Sequence, residues 1–350
     1  MTQRLTVVCP GNTASERYAL TLEHALRHRP ARVLTSISEP LQNQPILFAV
    51  PLDESGVNHG YYDLLAYLRT HPGCLDGSVG GVLVDGPGDL YTKAVGRELV
   101  LSASRAGCAF PGRPLVEATG DLRNFTVQAK NANSSLEEAC RMASAYLAER
   151  VLAFVPPKRR RPKLLVLHAS NRKTSNTLAL WSRCRERLEK DCDMTEIGLR
   201  NGTLEDCAGC PYTMCLHYGE KGGCFYGGVM VQEVYPAIRE ADAVVLLCPN
   251  YNDALSANLT AAINRLTALY RTTPFTDKAV FAIVVSGYSG GDIVARQVVS
   301  ALNMNKGFWL PPEFCLLETA NDAGTAVILP GIEERLDKFT ENILRQLKEP

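Results

Sequence analysis

A chain of 350 residues is more than one hydrophobic core usually organises, so two domains are expected. Thirty-seven basic residues balance 37 acidic ones, which excludes the basic excess that a nucleic-acid or anionic-membrane surface needs. No stretch approaches the ~20 apolar residues of a membrane span and the N-terminal apolar run is too short for a signal peptide, so the expected location is cytoplasmic.

In chain order, residues 5–9, 32–37, 46–50, 79–84 and 114–117 read as strands. Residues 15–27, 61–69, 91–106 and 135–151 read as helices between and after them. The last of these carries a start signal in Ser134 and Glu137, the spacing of a capping box. Residues 1–155 are therefore expected to form an α/β domain of doubly wound type. Residues 156–163 follow, with Pro156, Pro157 and Pro162 around Lys158, Arg159, Arg160, Arg161 and Lys163. Prolines and crowded like charge disfavour helix and strand, so an exposed linker is expected there.

The rhythm then repeats. Residues 163–168 form a short continuous apolar run, as a strand buried on both faces should. A helix is expected over 177–190, a strand over 194–199 and a helix through Val234 and Ile238. A strand over 242–248, a helix over 254–270, strands over 279–285 and 314–318, and a closing helix over 332–347 complete the pattern. Such alternation implies right-handed crossovers and a parallel sheet covered on both faces. The fold class is thus α/β with two doubly wound parallel-sheet domains, the second (164–350) flavodoxin-like with strand order 2-1-3-4-5. Ligands of such sheets lie beyond the C-terminal ends of the strands, at the switch point.

Three loops carry the candidate chemistry. After the first strand of the second half, Ala169 to Thr177 presents Ser170, Arg172, Ser175, Asn176 and Thr177 ahead of a helix. Free main-chain N–H groups and the positive helix end make that a site for one terminal phosphate. It lacks the Gly-Lys-Ser/Thr of a Walker loop and the glycines of a dinucleotide fingerprint. The loop resembles the G-S-x-R-x-x-S-N-T phosphate loop of the NADPH-dependent FMN reductase family, with Ala169 in place of the leading glycine. The resemblance implies that those five residues hold the phosphate of FMN. A second loop, Cys248-Pro249-Asn250-Tyr251-Asn252-Asp253, resembles the family's S-P-x-Y loop under the flavin ring, with Pro249, Asn250, Tyr251 and Asn252 as the candidate contacts, and the helix from Leu259 to Asn264-Arg265 echoes the family's K-x-x-x-D-R-like end. A third, Ser286-Gly287-Tyr288-Ser289-Gly290-Gly291-Asp292, is glycine-rich where a flat ligand needs close backbone approach, with Ser286, Gly287, Tyr288 and Gly290 as the candidate contacts. The resemblance covers the C-terminal half and implies FMN, NAD(P)H as co-substrate, a small-molecule or protein electron acceptor and a homodimer.

Twelve cysteines in a chain with no secretory signal point away from a disulfide framework. Four of them, Cys207, Cys210, Cys215 and Cys224, fall within one short run. Such a set suits an iron–sulfur cluster, a zinc ion or a group of reduced thiols, and His217 inside the run keeps zinc open. The run is similar to the cysteine-bearing loop of iron–sulfur flavoproteins, with wider gaps. In the first half, Cys9 to Ser15 stands where a phosphate loop would be, but Pro10 removes a donor, so a degenerate, empty site of unassigned function is expected. Residues 85–89 and 109–114 read as plain turns.

Overall fold

The computed structural model describes residues 4–11, 15–27, 29–171 and 173–350. Two compact units divide the chain, residues 1–155 and 156–350.

In the first unit the order is β1 (Leu5–Val8), α1 (Glu16–Leu26), β2 (Ala31–Leu34), β3 (Pro45–Pro51), α2 (His59–Thr70), β4 (Val79–Asp85), α3 (Thr92–Arg105), β5 (Leu115–Ala118), α4 (Thr126–Ala132) and α5 (Leu136–Ala153). The sheet is parallel with order β2-β1-β3-β4-β5, which is 2-1-3-4-5. Every residue of β3 is buried, as the central strand of a sheet covered on both faces requires. Beside it, β4 carries Gly81, where a Cβ would come within 2.7 Å of Val151 on α5. The missing side chain lets α5 lie close on the sheet. The N-cap of α5 is Ser135, whose hydroxyl accepts from the Glu138 N–H, one residue beyond the pair read from sequence. Helix α4 was not expected from the sequence; it is a short element of seven residues that Asn133 ends in the left-handed region.

The second unit runs β6 (Lys163–His168), α6 (Asn176–Leu188), β7 (Asp193–Gly198), α7 (Tyr212–Glu220), α8 (Tyr235–Glu240), β8 (Ala243–Pro249), α9 (Ala257–Tyr270), β9 (Ala279–Ser286), α10 (Gly291–Val298), β10 (Cys315–Thr319) and α11 (Ile332–Leu347). Its parallel sheet is ordered β7-β6-β8-β9-β10, again 2-1-3-4-5 and therefore flavodoxin-like. Both tryptophans of the chain, Trp181 on α6 and Trp309 before β10, are buried in this unit. Helix α10 continues into a π-helical stretch, Val299–Lys306.

The expected linker is exposed but fastened to the second unit. Main-chain bonds join Arg159 N–H to Leu347 O (2.7 Å) and Glu349 N–H to Arg159 O (3.0 Å). The Arg159 and Arg161 side chains bond Asp242 (3.0 Å) and Asp193 (2.6 Å). The basic run thus finds acidic partners at the N-terminal edge of the sheet, which a reading of local composition could not reveal. No helix among the described residues is long and apolar enough to cross a membrane.

Candidate functional site

At the C-terminal end of β6 the chain turns into α6 through Ala169 to Ser175. Ser175 is the N-cap: its Oγ accepts from Leu178 N–H (3.2 Å) and pairs with the Thr177 hydroxyl at 2.8 Å. The remaining N–H groups of the first turn have no intrahelical acceptors. Ser170 Oγ is buried and has no partner among the described residues, while its N–H donates to His168 Nδ1 at 3.3 Å. Because Nδ1 accepts, the neutral ring carries its proton on Nε2, which faces Glu196 at 3.6 Å. His168 therefore sets the direction in which the loop leaves the strand. Beside this loop lies an open cavity of about 700 Å³ lined by Ser170, Asn171, Lys173, Gly198 and Arg200 among others.

Asn176 behaves differently from the sequence expectation. Its side chain is fully committed to the loop after β10, donating to Ala320 O (3.2 Å) and Asp322 O (2.9 Å). Its Oδ1 accepts from Gly324 (2.9 Å) and Ala326 (3.3 Å) N–H groups. No hydrogen-bonding capacity is left for a ligand, so only its main chain can serve one. Thr177 is buried too, at 1% exposure. Arg172 lies outside the described residues.

The loops after β8 and β9 are clasped to each other. Asn250 Nδ2 donates to Ser286 Oγ (3.1 Å) and Ser289 O (3.0 Å), and lies 3.2 Å from Asp253 Oδ1. Residues 251–254 form a tight turn in which Asn252 and Asp253 both have positive φ, 53° and 57°, the backbone of a type I′ turn that Asn and Asp tolerate best. Gly290 has φ 82°, and a Cβ there would stand 2.0 Å from Asp253 Oδ1. Gly290→Ala is therefore expected to force the two loops apart and weaken flavin binding about 5–150-fold, through strain of about 1–3 kcal/mol at the left-handed position; flavin titration checks this. Tyr251 and Tyr288 stand 59% and 83% exposed, with their rings free to cover a ligand. The sequence reading places Asp253 in this loop but not among the candidate contacts; the signal for its part in the turn is the Asn-Asp pair.

The four-cysteine run leaves β7 and includes α7. Cys207, Cys210, Cys215 and Cys224 line one cavity of about 160 Å³, with Met214, Tyr218, Phe225 and Arg265 also in its wall. Among the described residues no three His, Cys, Asp or Glu side chains converge on one point. His217 is not in the wall; its Nε2 faces Lys221 Nζ at 3.0 Å. The remaining cysteines are mostly core. Burial pushes Cys140 and Cys192 up to about 11 and Cys184 up to about 12, from 9.0. A raised thiol favours the folded state fully below about pH 9, and that contribution is lost as pH climbs from there through 11 to 12. The melting temperature should hold up to pH 8.5 or so and fall beyond pH 9; a melt that is flat to pH 11 would contradict this.

In the first unit the corresponding sheet edge is filled by the chain itself. Arg17, on the first turn of α1, forks onto Asp85 (2.9 and 3.0 Å) and donates to the carbonyls of Gly86, Thr119 and Gly120 (each 2.9 Å). The sequence read Asp85 as part of a plain turn and the site as empty; Asn12, Thr13 and Ala14 of that loop lie outside the described residues.

Residues 162–322 match the family model of NADPH-dependent FMN reductase. The second unit is a domain of that family. As such it is an NAD(P)H-dependent flavin oxidoreductase domain, with FMN as cofactor and NAD(P)H as co-substrate. Its chemistry fits the edge just described: an unpartnered hydroxyl and an open helix N-terminus suit a terminal phosphate. Among solved structures, an NAD(P)H:quinone oxidoreductase from Methanothermobacter marburgensis is similar at 15% identity and TM-score 0.39, over 54% of this chain and 100% of its own. An azoreductase from Bacillus anthracis is similar at 17% identity and TM-score 0.35, over 53% of this chain and 97% of its own. None of the curated proteins compared matches the chain.

Proposed function

We propose that the reductase domain carries electrons from NAD(P)H, through FMN held along the C-terminal edge of its sheet, to a small-molecule or protein acceptor. The observation behind this is the buried, unpartnered Ser170 hydroxyl next to the open first turn of α6. Bound there, FMN would supply hydride acceptance from the nicotinamide and onward electron transfer. The chain's own residues bind and orient. Ser170, Ser175 and the first-turn N–H groups of Asn176 and Thr177 take the phosphate, with Arg172 adding charge. Asn176 fixes the helix start by its side-chain bonds to the loop after β10. Pro249, Asn250, Tyr251 and Asn252, with Ser286, Gly287, Tyr288 and Gly290, address the ring, and the Asn250 clasp keeps the two loops at fixed separation.

Cys207, Cys210, Cys215 and Cys224 would hold an iron–sulfur cluster, which supplies single-electron transfer. The support for this reading is that all four cysteines line one cavity of about 160 Å³, and four thiolates are the donor set that such a cluster takes. A second copy of the chain covers the exposed Tyr251 and Tyr288, giving a homodimer. Twelve free cysteines suit a reducing, cytoplasmic setting.

Titration of the protein with FMN, followed by oxidation of NADPH and NADH with a quinone acceptor, tests the reading. No flavin uptake sinks it; uptake without oxidation of either nicotinamide makes the protein an electron carrier. Ser170→Ala should weaken FMN about 10–100-fold, the worth of one hydrogen bond to a charged group.

A further inference from the structure

Helix α9 faces the four-cysteine cavity, and one of its residues is out of place for a core. Arg265 is 2% exposed, yet it carries no acidic partner among the described residues. Its two terminal nitrogens reach main-chain carbonyls at the two ends of the cysteine run. Nη1 donates to Glu205 O at 3.4 Å, just before Cys207, and Nη2 to Gly227 O at 2.7 Å, just after Cys224. The Arg265 main chain is itself held: the hydroxyl of Tyr235, fully buried, donates to Arg265 O at 2.6 Å. The third donor, Nε, is buried without a partner, and Arg265 forms part of the wall shared with all four sulfurs.

A buried guanidinium with no carboxylate is costly unless negative charge arrives to balance it. Lysine could not substitute, because only a planar fork spans two carbonyls and keeps a further N–H in reserve. The neighbouring turns of α9 support the same segment: Asn258 donates to Leu199 O (2.8 Å) and Asn264 to Asp206 Oδ1 (3.0 Å). These two place the start of the run; among the described residues Arg265 alone bonds both its start and its end.

We propose that Arg265 is a positioning residue with two tasks: it closes the cysteine loop, and it supplies the cationic N–H that balances an anionic, thiolate-held iron–sulfur cluster in the cavity. This rests on the cluster reading of the four cysteines. The loop-closing task holds for the metal-free chain as well, so the two can be judged apart. A cation and a donor beside cluster sulfur favour the reduced, more negative state and so raise the reduction potential.

The test compares wild type with Arg265→Met and Arg265→Lys, each first checked for unchanged circular dichroism and FMN uptake. In metal-free protein, iodoacetamide labelling of the four cysteines is timed by mass spectrometry. Arg265→Met should speed labelling about 10–100-fold, the factor carried by one or two lost bonds from a charged donor, and Arg265→Lys should speed it nearly as much. The proteins are then reconstituted anaerobically with ferrous iron and sulfide, and the cluster midpoint is measured. Arg265→Met should shift it negative by a tenfold change in the reduced-to-oxidised ratio, about 59 mV for one electron, and Arg265→Lys should recover much of that shift. Labelling at the wild-type rate with an unmoved midpoint would overturn the assignment while leaving the cluster reading intact. Wild type that takes up neither iron nor sulfide would refute the cluster and the charge-balancing task with it; the labelling comparison would then uphold or reject loop closure alone.

Discussion

Asn176→Ala lowers the stability of the second unit by about 3–4 kcal/mol, because its side chain satisfies four main-chain groups of the loop after β10 and alanine satisfies none. Buried donors and acceptors left without partners cost about 1–3 kcal/mol each, and solvent reaching this partly exposed loop reduces the sum. The loss should appear in urea unfolding followed by tryptophan emission. Asn176→Asp is informative in a different way. The carboxylate keeps the two bonds accepted from Gly324 and Ala326, but it turns the two donated bonds to Ala320 and Asp322 into oxygen–oxygen repulsion. It should therefore destabilise more at neutral pH than in acid, where a protonated carboxyl can donate again. A fall of less than about 1 kcal/mol for the alanine variant would mean that water replaces the side chain at no net cost.

Arg17→Met, in the first unit, is expected to cost about 3 kcal/mol, at the low end for breaking a buried ion pair, since the Arg17 side chain is 27% exposed and Asp85 only 6%. The damage spreads beyond Asp85, because the carbonyls of Gly86, Thr119 and Gly120 lose a donor at the same time. Arg17→Lys should restore little: one ammonium cannot serve a carboxylate and three carbonyls at once. Hydrogen exchange at the C-terminal ends of β4 and β5 reads the loss locally, while FMN affinity should stay at the wild-type value. An exchange pattern that does not change would show that the guanidinium fills space and contributes no net stability.

Much of this architecture is legible in the chain. Strands such as β6 and β8 are continuous apolar runs that only a sheet buried on both faces explains, so ten strands can be located within a few residues. The helices that escaped notice are α4, α7 and α10. The first two are short, and α7 sits inside the cysteine run, where ligand spacing draws the eye from periodicity. Helix α10 begins at Gly291 after the N-cap Gly290, so its start carries no side-chain cap to mark it in the sequence.

At the site, residue type was readable and commitment was not. Nothing in the tetrad Ser175 to Leu178 says that Asn176 turns away to bind a loop some 150 residues later, because that partner is fixed only by the strand order. The Asn250 clasp and the Arg17 fork are hidden for the same reason. Each joins loops that follow different strands, and the sheet alone makes them neighbours. Ser170 is singled out by a local signal, its place after a strand in a loop that resembles a phosphate loop, and its hydroxyl is buried without a partner among the described residues.

The placement of Trp181 and Trp309, both inside the second unit, divides the molecule optically. With excitation selective for indole, residues 1–155 emit nothing, so a single clean fluorescence transition describes the reductase domain alone and passes over the other unit. Calorimetry and fluorescence recorded on one sample can therefore disagree without either being at fault. A variant such as Arg17→Met could go undetected by the optical probe while the calorimetric trace moves.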